Sequence, residues 1–465
     1  MKKWLMAANV LVFVLICTFI LSPLRIGTDS TRLFVMALPA ACGGAYGVDQ
    51  FPPFYPHLLC LLMKLGICNS VVLWCINFFS LGAGLVILHR IMLLNEIHHL
   101  ESMLVLLSVQ LSWCVAKHCM LPQTDILLLP FFWGSVLALM HFRRARDKFA
   151  KLRYLTLSLL LAVIAMTIRI AAIPLFGLIA VAITGLTAEN MVQLIRKKSF
   201  WLLSTGLVGV IIVGTALAVR YTGFDDEGGY FRMFKHFMSC SGLVGFLSTE
   251  MEHLKEIMQL TVNMSAARLP ACVVIVGTFV MPMVLLAAFF KCFKWIDWYL
   301  MVILLGYGVE IFLWPCTDAR FLLPVYPFAM MLIVHFLKMY GDRCRSVRIA
   351  SMVYMGLFVL MGFASWGWLG KQWMLGKDFY KITTELFTRR DYLNAYQREL
   401  KDIPEPELTI PVFILKKFDS WHTLHEGGKL RLDDYKRFRG RYDRGQMTDD
   451  EVRKCILETG AIPVP

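Results

Sequence analysis

The chain has 465 residues, of which 58% are hydrophobic and only 17% charged, with a formal net charge of +14. Its mean hydropathy is +0.62, and its apolar residues come in long runs rather than alternations. A soluble chain carries about a quarter charged residues, and barrel strands alternate apolar and polar over ~10 residues. Soluble, disordered, fibrous and β-barrel architectures are therefore excluded, and an all-α polytopic membrane bundle remains. From Lys371 to Pro465 there are 18 basic and 16 acidic residues, so nearly all the excess charge belongs to residues 1–370. Basic loops in such a region report topology rather than nucleic-acid binding.

Two units follow: a membrane domain over 1–370 and a polar extension over 371–465, expected on the outer side. The first predicted span is Trp4 to Ser22, preceded by Lys2 and Lys3, and reads as an uncleaved signal anchor. The segment from Pro23 to Ser70 is too polar for a regular span. It reads as a long first outer loop with an amphipathic or re-entrant helix over Pro53–Leu65. A second span covers Val71–Leu88 and ends at His89-Arg90. Spans over Ser102–Ala116 and Thr124–His141 follow, separated by Lys117-His118 and Pro122. The cluster from Arg143 to Arg153 is the strongest inside signal in the chain.

From Tyr154 to Glu189 the sequence is mostly apolar but interrupted by Arg169 and Pro174. Both flanks are basic, so an even number of crossings is required, and two short spans meet at Arg169 on the outer face. A span over Phe200–Val219 leads to a long polar loop, Arg220–Leu269, holding Asp225-Asp226-Glu227 and an amphipathic stretch at Met251–Val262. The last spans are Pro270–Phe290, Trp295–Trp314, Arg320–Leu337 and Ile349–Leu369. The total is about eleven, which places the N-terminus inside and the tail outside. The tail is broken by Pro-Glu-Pro at 404–406 and ends in a capping box, Thr448 to Glu451.

The 13 cysteines lie mostly in apolar runs and include no C-x-x-C, so no metal and no disulfide framework is assigned. Asn263-Met264-Ser265 matches a glycosylation sequon, a triplet that also occurs by chance. Charges at the edge of hydrocarbon are costly and mark functional candidates. Asp29, Asp49, Asp125, Arg169, Glu310, Asp318 and Arg320 all map to the outer loop or the outer ends of spans. Each also has a plainer reading. Asp29 and Asp49 are turn residues, Asp125 is a helix cap, Arg169 snorkels to lipid phosphates, and Arg320 bridges to Asp318 or Glu310. Glu310 is alternatively a proton-coupling acid, and Tyr55 an interfacial anchor.

An ordered set of short motifs carries a family resemblance over roughly residues 1–340. Ile26-Gly27-Thr28-Asp29-Ser30 follows the first span, and Gly47-Val48-Asp49-Gln50-Phe51-Pro52-Pro53-Phe54-Tyr55-Pro56 leads into the amphipathic helix. Leu121-Pro122-Gln123-Thr124-Asp125, Met166-Thr167-Ile168-Arg169 and Asp318-Ala319-Arg320-Phe321-Leu322-Leu323-Pro324 complete it. The set resembles the GT-C superfamily of membrane glycosyltransferases, closest to its protein O-mannosyltransferase and aminoarabinose-transferase branch. Asp29-Ser30 stands where that branch often carries Asp-Glu, which leaves the acceptor and any divalent metal open.

The resemblance implies transfer of a sugar from a polyprenyl-phosphate donor to a lipid, glycan or protein acceptor on the outer face. It also implies a bacterial inner membrane as the setting. On that expectation Asp29 is the catalytic base, with Asp125 as orienting partner or second base. Arg169 and Arg320 grip phosphate, while Asp49, Tyr55 and Glu310 complete substrate binding. A single base on the attacking side implies inverting displacement. No cofactor is expected. The alternative function is a multi-span transporter or lipid flippase, which should place charges near the bilayer midplane and show repeat symmetry.

Overall fold

The computed structural model describes residues 2–21, scattered positions within 29–40, and, apart from isolated gaps, 51–185 and 230–374. Asp49, the predicted span at 200–219, the acidic run at 225–227 and the tail from 375 lie outside the described residues. Every described secondary-structure element is helical. In chain order they are α1 (Lys2–Cys17), α2 (Phe54–Lys64), α3 (Ser70–Leu94), α4 (His99–Gln110), α5 (Trp113–Cys119), α6 (Thr124–Arg144) and α7 (Lys148–Ile168). They continue as α8 (Pro174–Thr184), α9 (Tyr230–Val262), α10 (Ala271–Cys292), α11 (Trp298–Phe312), α12 (Tyr326–Gly341) and α13 (Arg345–Met374).

Among the described residues, five helices are long and apolar enough to cross a membrane, or six if the bent pair α4–α5 is one span. Shorter apolar helices lie at Trp4–Cys17, Ile170–Thr184 and Trp298–Phe312. The eleven crossings read from the sequence stay an expectation. α6 is the central helix, with Phe132, Trp133 and Val136 fully buried, while α7, α10 and α13 leave many large apolar side chains exposed. An outward apolar surface of this kind is what lipid contact requires.

Three elements differ from the sequence reading. The predicted span Ser102–Ala116 is broken, with α4 and α5 meeting at 50°. The cause is Asn263, which donates to the carbonyls of Leu111 and Phe358 at 3.0 and 2.9 Å and accepts from the Trp113 amide at 2.8 Å. A polar side chain thus replaces the missing helical bonds at the kink. Gly362 permits this approach, since a Cβ there would sit 2.4 Å from the Leu111 carbonyl oxygen. The same contacts leave Asn263 fully buried, so the sequon is no glycan acceptor in this fold. Within the stretch expected as a loop over Arg220–Leu269, residues Tyr230–Val262 form one helix, α9, of 33 residues.

The break at Arg169 is as expected. α7 ends there in extended backbone, the short 3-10 turn Ile170–Ala172 follows, and Pro174 opens α8 at a position where a missing amide costs nothing. α2 also forms as expected, as an 11-residue helix burying Tyr55, Leu59 and Met63.

The helices run so that charged residues gather at two ends of the bundle. α3, α6 and α12 begin at one end, where α5, α7 and α11 finish. At the opposite end Arg143 pairs with Asp297 at 3.1 Å, the Asp297 amide donates to Asn95, and Glu101 binds His335 and Lys338.

Candidate functional site

The first end holds the site. Asp125 lies in the first turn of α6, where Gln123 and not Asp125 occupies the cap position. Its side chain is almost fully buried and forms an ion pair with Arg169, which closes α7. The plainer readings of both residues therefore give way to one pair joining two helix ends. On its other side Asp125 lies 3.8 Å from Nδ1 of His118, at the end of α5. That nitrogen also lies 3.3 Å from the Gln123 amide oxygen, while Nε2 of His118 is buried without a hydrogen-bond partner. Asn77 of α3 fixes this corner by donating to the carbonyls of Cys119 and Leu121, both at 2.8 Å.

The second half is built by the 3-10 turn Ala319–Leu322. Asp318 caps it, accepting from the Arg320 amide at 3.0 Å, and its carboxylate also meets the Arg320 guanidinium at 3.2 Å. The same guanidinium pairs with Asp29 from the segment after α1, in helical backbone at this point. The turn is anchored from below, because Trp133 Nε1 donates to the Pro324 carbonyl at 2.7 Å. Of the two alternative partners read for Arg320, Asp318 is the one it meets, and Asp29 joins it.

Phe321 links the halves. Its ring lies 4.8 Å from the guanidinium carbon of Arg169 and 5.2 Å from that of Arg320. Trp314 packs edge-on against it at 6.5 Å. Four regions distant in sequence thus converge: residue 29, the 118–125 corner, Arg169, and the end of α11 with the 318–321 turn that follows it. Glu310, near the end of α11, feels the Arg169 charge, and its Oε2 is buried with no hydrogen-bond partner. Tyr55 is fully buried within α2 rather than at a surface, and its hydroxyl is unpartnered.

Electrostatics of the cluster follow from crowding. Burial alone would raise the Asp318 carboxyl, but Lys117, Arg320 and His118, with the Arg320 amide, hold it well below the usual carboxylate range. On α9, burial pushes Glu256 up to about 7, Asp318 adds to the rise, and Lys117 opposes it. Lys117, His118, Glu256 and Phe321 are site residues that sequence reasoning passed over. In the sequence Lys117-His118 reads only as a break between spans, and Phe321 only as part of a motif. Among the described residues no group of three or more His, Cys, Asp or Glu is arranged to hold a metal ion.

An apolar groove of about 440 Å³ opens beside the cluster between α9, α10, α11 and α12. Its walls include Leu254, Phe279, Pro282, Phe312, Leu322 and Tyr326. Leu322 directly follows Phe321, so one turn borders both the charged site and the groove.

No family model and no curated protein matches the sequence. Among solved structures, that of ArnT from Cupriavidus metallidurans bound to undecaprenyl phosphate is similar over 98% of this chain and 74% of that one, at 12% identity and a TM-score of 0.46. At that distance the likeness assigns no activity to this chain.

Proposed function

We propose that the chain is a membrane glycosyltransferase that moves a sugar from a polyprenyl-phosphate donor to a hydroxyl or amine acceptor. The observation that carries this reading is the convergence of Arg169 and Arg320 on one ring, one residue from an apolar groove. A lipid phosphate has the same two parts, an anionic head and a long apolar chain. Guanidinium forks suit the head, because planar paired N–H donors match phosphate oxygens, and the groove suits the chain.

The reaction needs little else. The acceptor's O–H or N–H proton passes to a carboxylate as its lone pair attacks the anomeric carbon. The bond from that carbon to phosphate oxygen breaks, and the electron pair leaves with the phosphate. A phosphate with a second pKa of ~6 leaves without protonation, provided cations meet the developing charge. Asp29 is the base in this scheme. It is held by Arg320 in the resting site, and a donor phosphate that takes over the Arg320 N–H groups frees it. Substrate binding and base activation are then one event. Asp125 keeps Arg169 aimed in the resting site, and Glu310 borders the sugar. Attack opposite the leaving phosphate inverts the anomeric centre.

The charged groups gather at helix ends rather than midway along spans, which favours this scheme over transport. In this reading the cluster faces the outer side and the Arg143–Asp297 end faces the cytoplasm. Single cysteines at Thr317 and Arg146, both exposed, should then label from opposite sides of a sealed membrane. The test of activity is transfer by purified protein from a panel of radiolabelled polyprenyl-phosphate hexoses and pentoses. Transfer from at least one donor is expected, and failure with all of them, with the folded protein verified, contradicts the reading.

A further inference from the structure

Arg169 and Arg320 reach the site from unrelated parts of the chain, and each is tied to a carboxylate: Arg169 to Asp125, Arg320 to Asp29 and Asp318. A carboxylate holds a guanidinium through its N–H edge, the same edge a phosphate needs. An arginine that exchanged its carboxylate for a phosphate would lose what oriented it. Phe321 offers an attachment of another kind. Both guanidinium carbons lie over its ring, at 4.8 and 5.2 Å from the centroid, so their separation is bounded by that one ring. An aromatic face attracts the cation through its quadrupole and uses none of its N–H donors.

Phe321 is itself held. It sits in the 319–322 turn, whose Asp318 cap and Trp133-to-Pro324 bond set the backbone. Trp314 meets its ring edge-on. The next residue, Leu322, is a wall of the groove.

We propose that Phe321 is a positioning residue that holds both guanidinium groups in place without engaging their N–H edges, while the carboxylates are exchanged for the phosphate of a lipid ligand. It acts through Arg169 and Arg320 and takes no part in bond making. The inference rests on the lipid-phosphate reading above and adds the device that presets the clamp. Two contacts at ~0.5–1 kcal/mol each correspond to about a 5–30-fold change in affinity.

The probe is undecaprenyl phosphate, titrated against the purified full-length protein in nanodiscs, with melting temperature as the check on folding. Phe321→Leu fills similar space without a π face and should weaken binding about 5–30-fold with melting little changed. Phe321→Tyr keeps the face and should bind within about twofold of wild type. Wild-type affinity in Phe321→Leu overturns the proposal. So does a Tyr variant that is folded yet as weak as the Leu variant. Arg169→Ala and Arg320→Ala separate this from the wider reading. If wild type does not bind the probe, or both arginine variants bind it as well as wild type, the lipid-phosphate reading fails and Phe321 with it. If the arginine variants weaken binding and Phe321→Leu does not, only the positioning role fails.

Discussion

The two ends of the bundle carry similar side chains and use them differently. At the Arg143 end, buried Glu101 is bound by His335 at 2.8 Å and Lys338 at 2.7 Å, and these two side chains keep part of their surface in solvent. Both oxygens of Glu101 are matched, although His99 Nδ1 and Trp298 Nε1 nearby are buried without hydrogen-bond partners. At the Asp29 end, three carboxylates share two arginines, one aromatic ring touches both cations, and His118 Nε2 and Glu310 Oε2 are buried without hydrogen-bond partners. Buried polar groups left unmatched are costly, so a fold that keeps several in one place has a use for them. The contrast teaches that charge near a membrane does not mark a site. Carboxylates that share arginines beside a ligand-sized groove do.

The comparison can be broken at several strengths. Arg169→Ala should have the largest effect on stability, about 3–5 kcal/mol, because it leaves Asp125 buried without its cation. Adding Asp125→Asn should recover much of that loss, as read by denaturant unfolding in detergent. Equal stability of the single and double variants would mean that the pair is not coupled. At the other end, Glu101→Gln should cost less, about 1.5–3 kcal/mol, because Lys338 and His335 are partly exposed and can turn to water.

A smaller effect separates the ends by pH. Glu256 titrates at about 7 in the fold against a reference of 4.5. Between those values the folded chain holds a proton that the unfolded chain has lost, so this group makes stability fall as pH rises through the window. Glu256→Gln should flatten that fall between about pH 4.5 and about pH 7 in melting experiments. Glu101→Gln should leave it in place.

Much of this was readable in the sequence, for a physical reason. Asp29, Asp125, Arg169 and Arg320 stand out because each interrupts or borders an apolar run, where a charge needs a purpose. Their partners were less legible, since Asp29 and Arg320 are 291 positions apart and hydropathy carries no information on pairing. The kink between α4 and α5 was invisible for the same reason, its cause being Asn263 about 150 residues downstream. The first part of α9 reads as loop because polar residues lower its hydropathy, although it contains no proline. Phe321 was hidden among 33 phenylalanines, since only its two guanidinium neighbours distinguish it.

The claim that one end reacts while the other only holds the bundle together is tested most directly by two variants in one transfer assay. Asp29→Asn and Glu101→Gln each replace a carboxylate by an amide of the same shape, at opposite ends. With a donor the wild type accepts, Asp29→Asn should lose ~10²-fold or more in transfer rate while remaining folded. Glu101→Gln should transfer at close to the wild-type rate despite its lower stability. Full transfer by Asp29→Asn, or an equal loss in the two variants, would contradict the account.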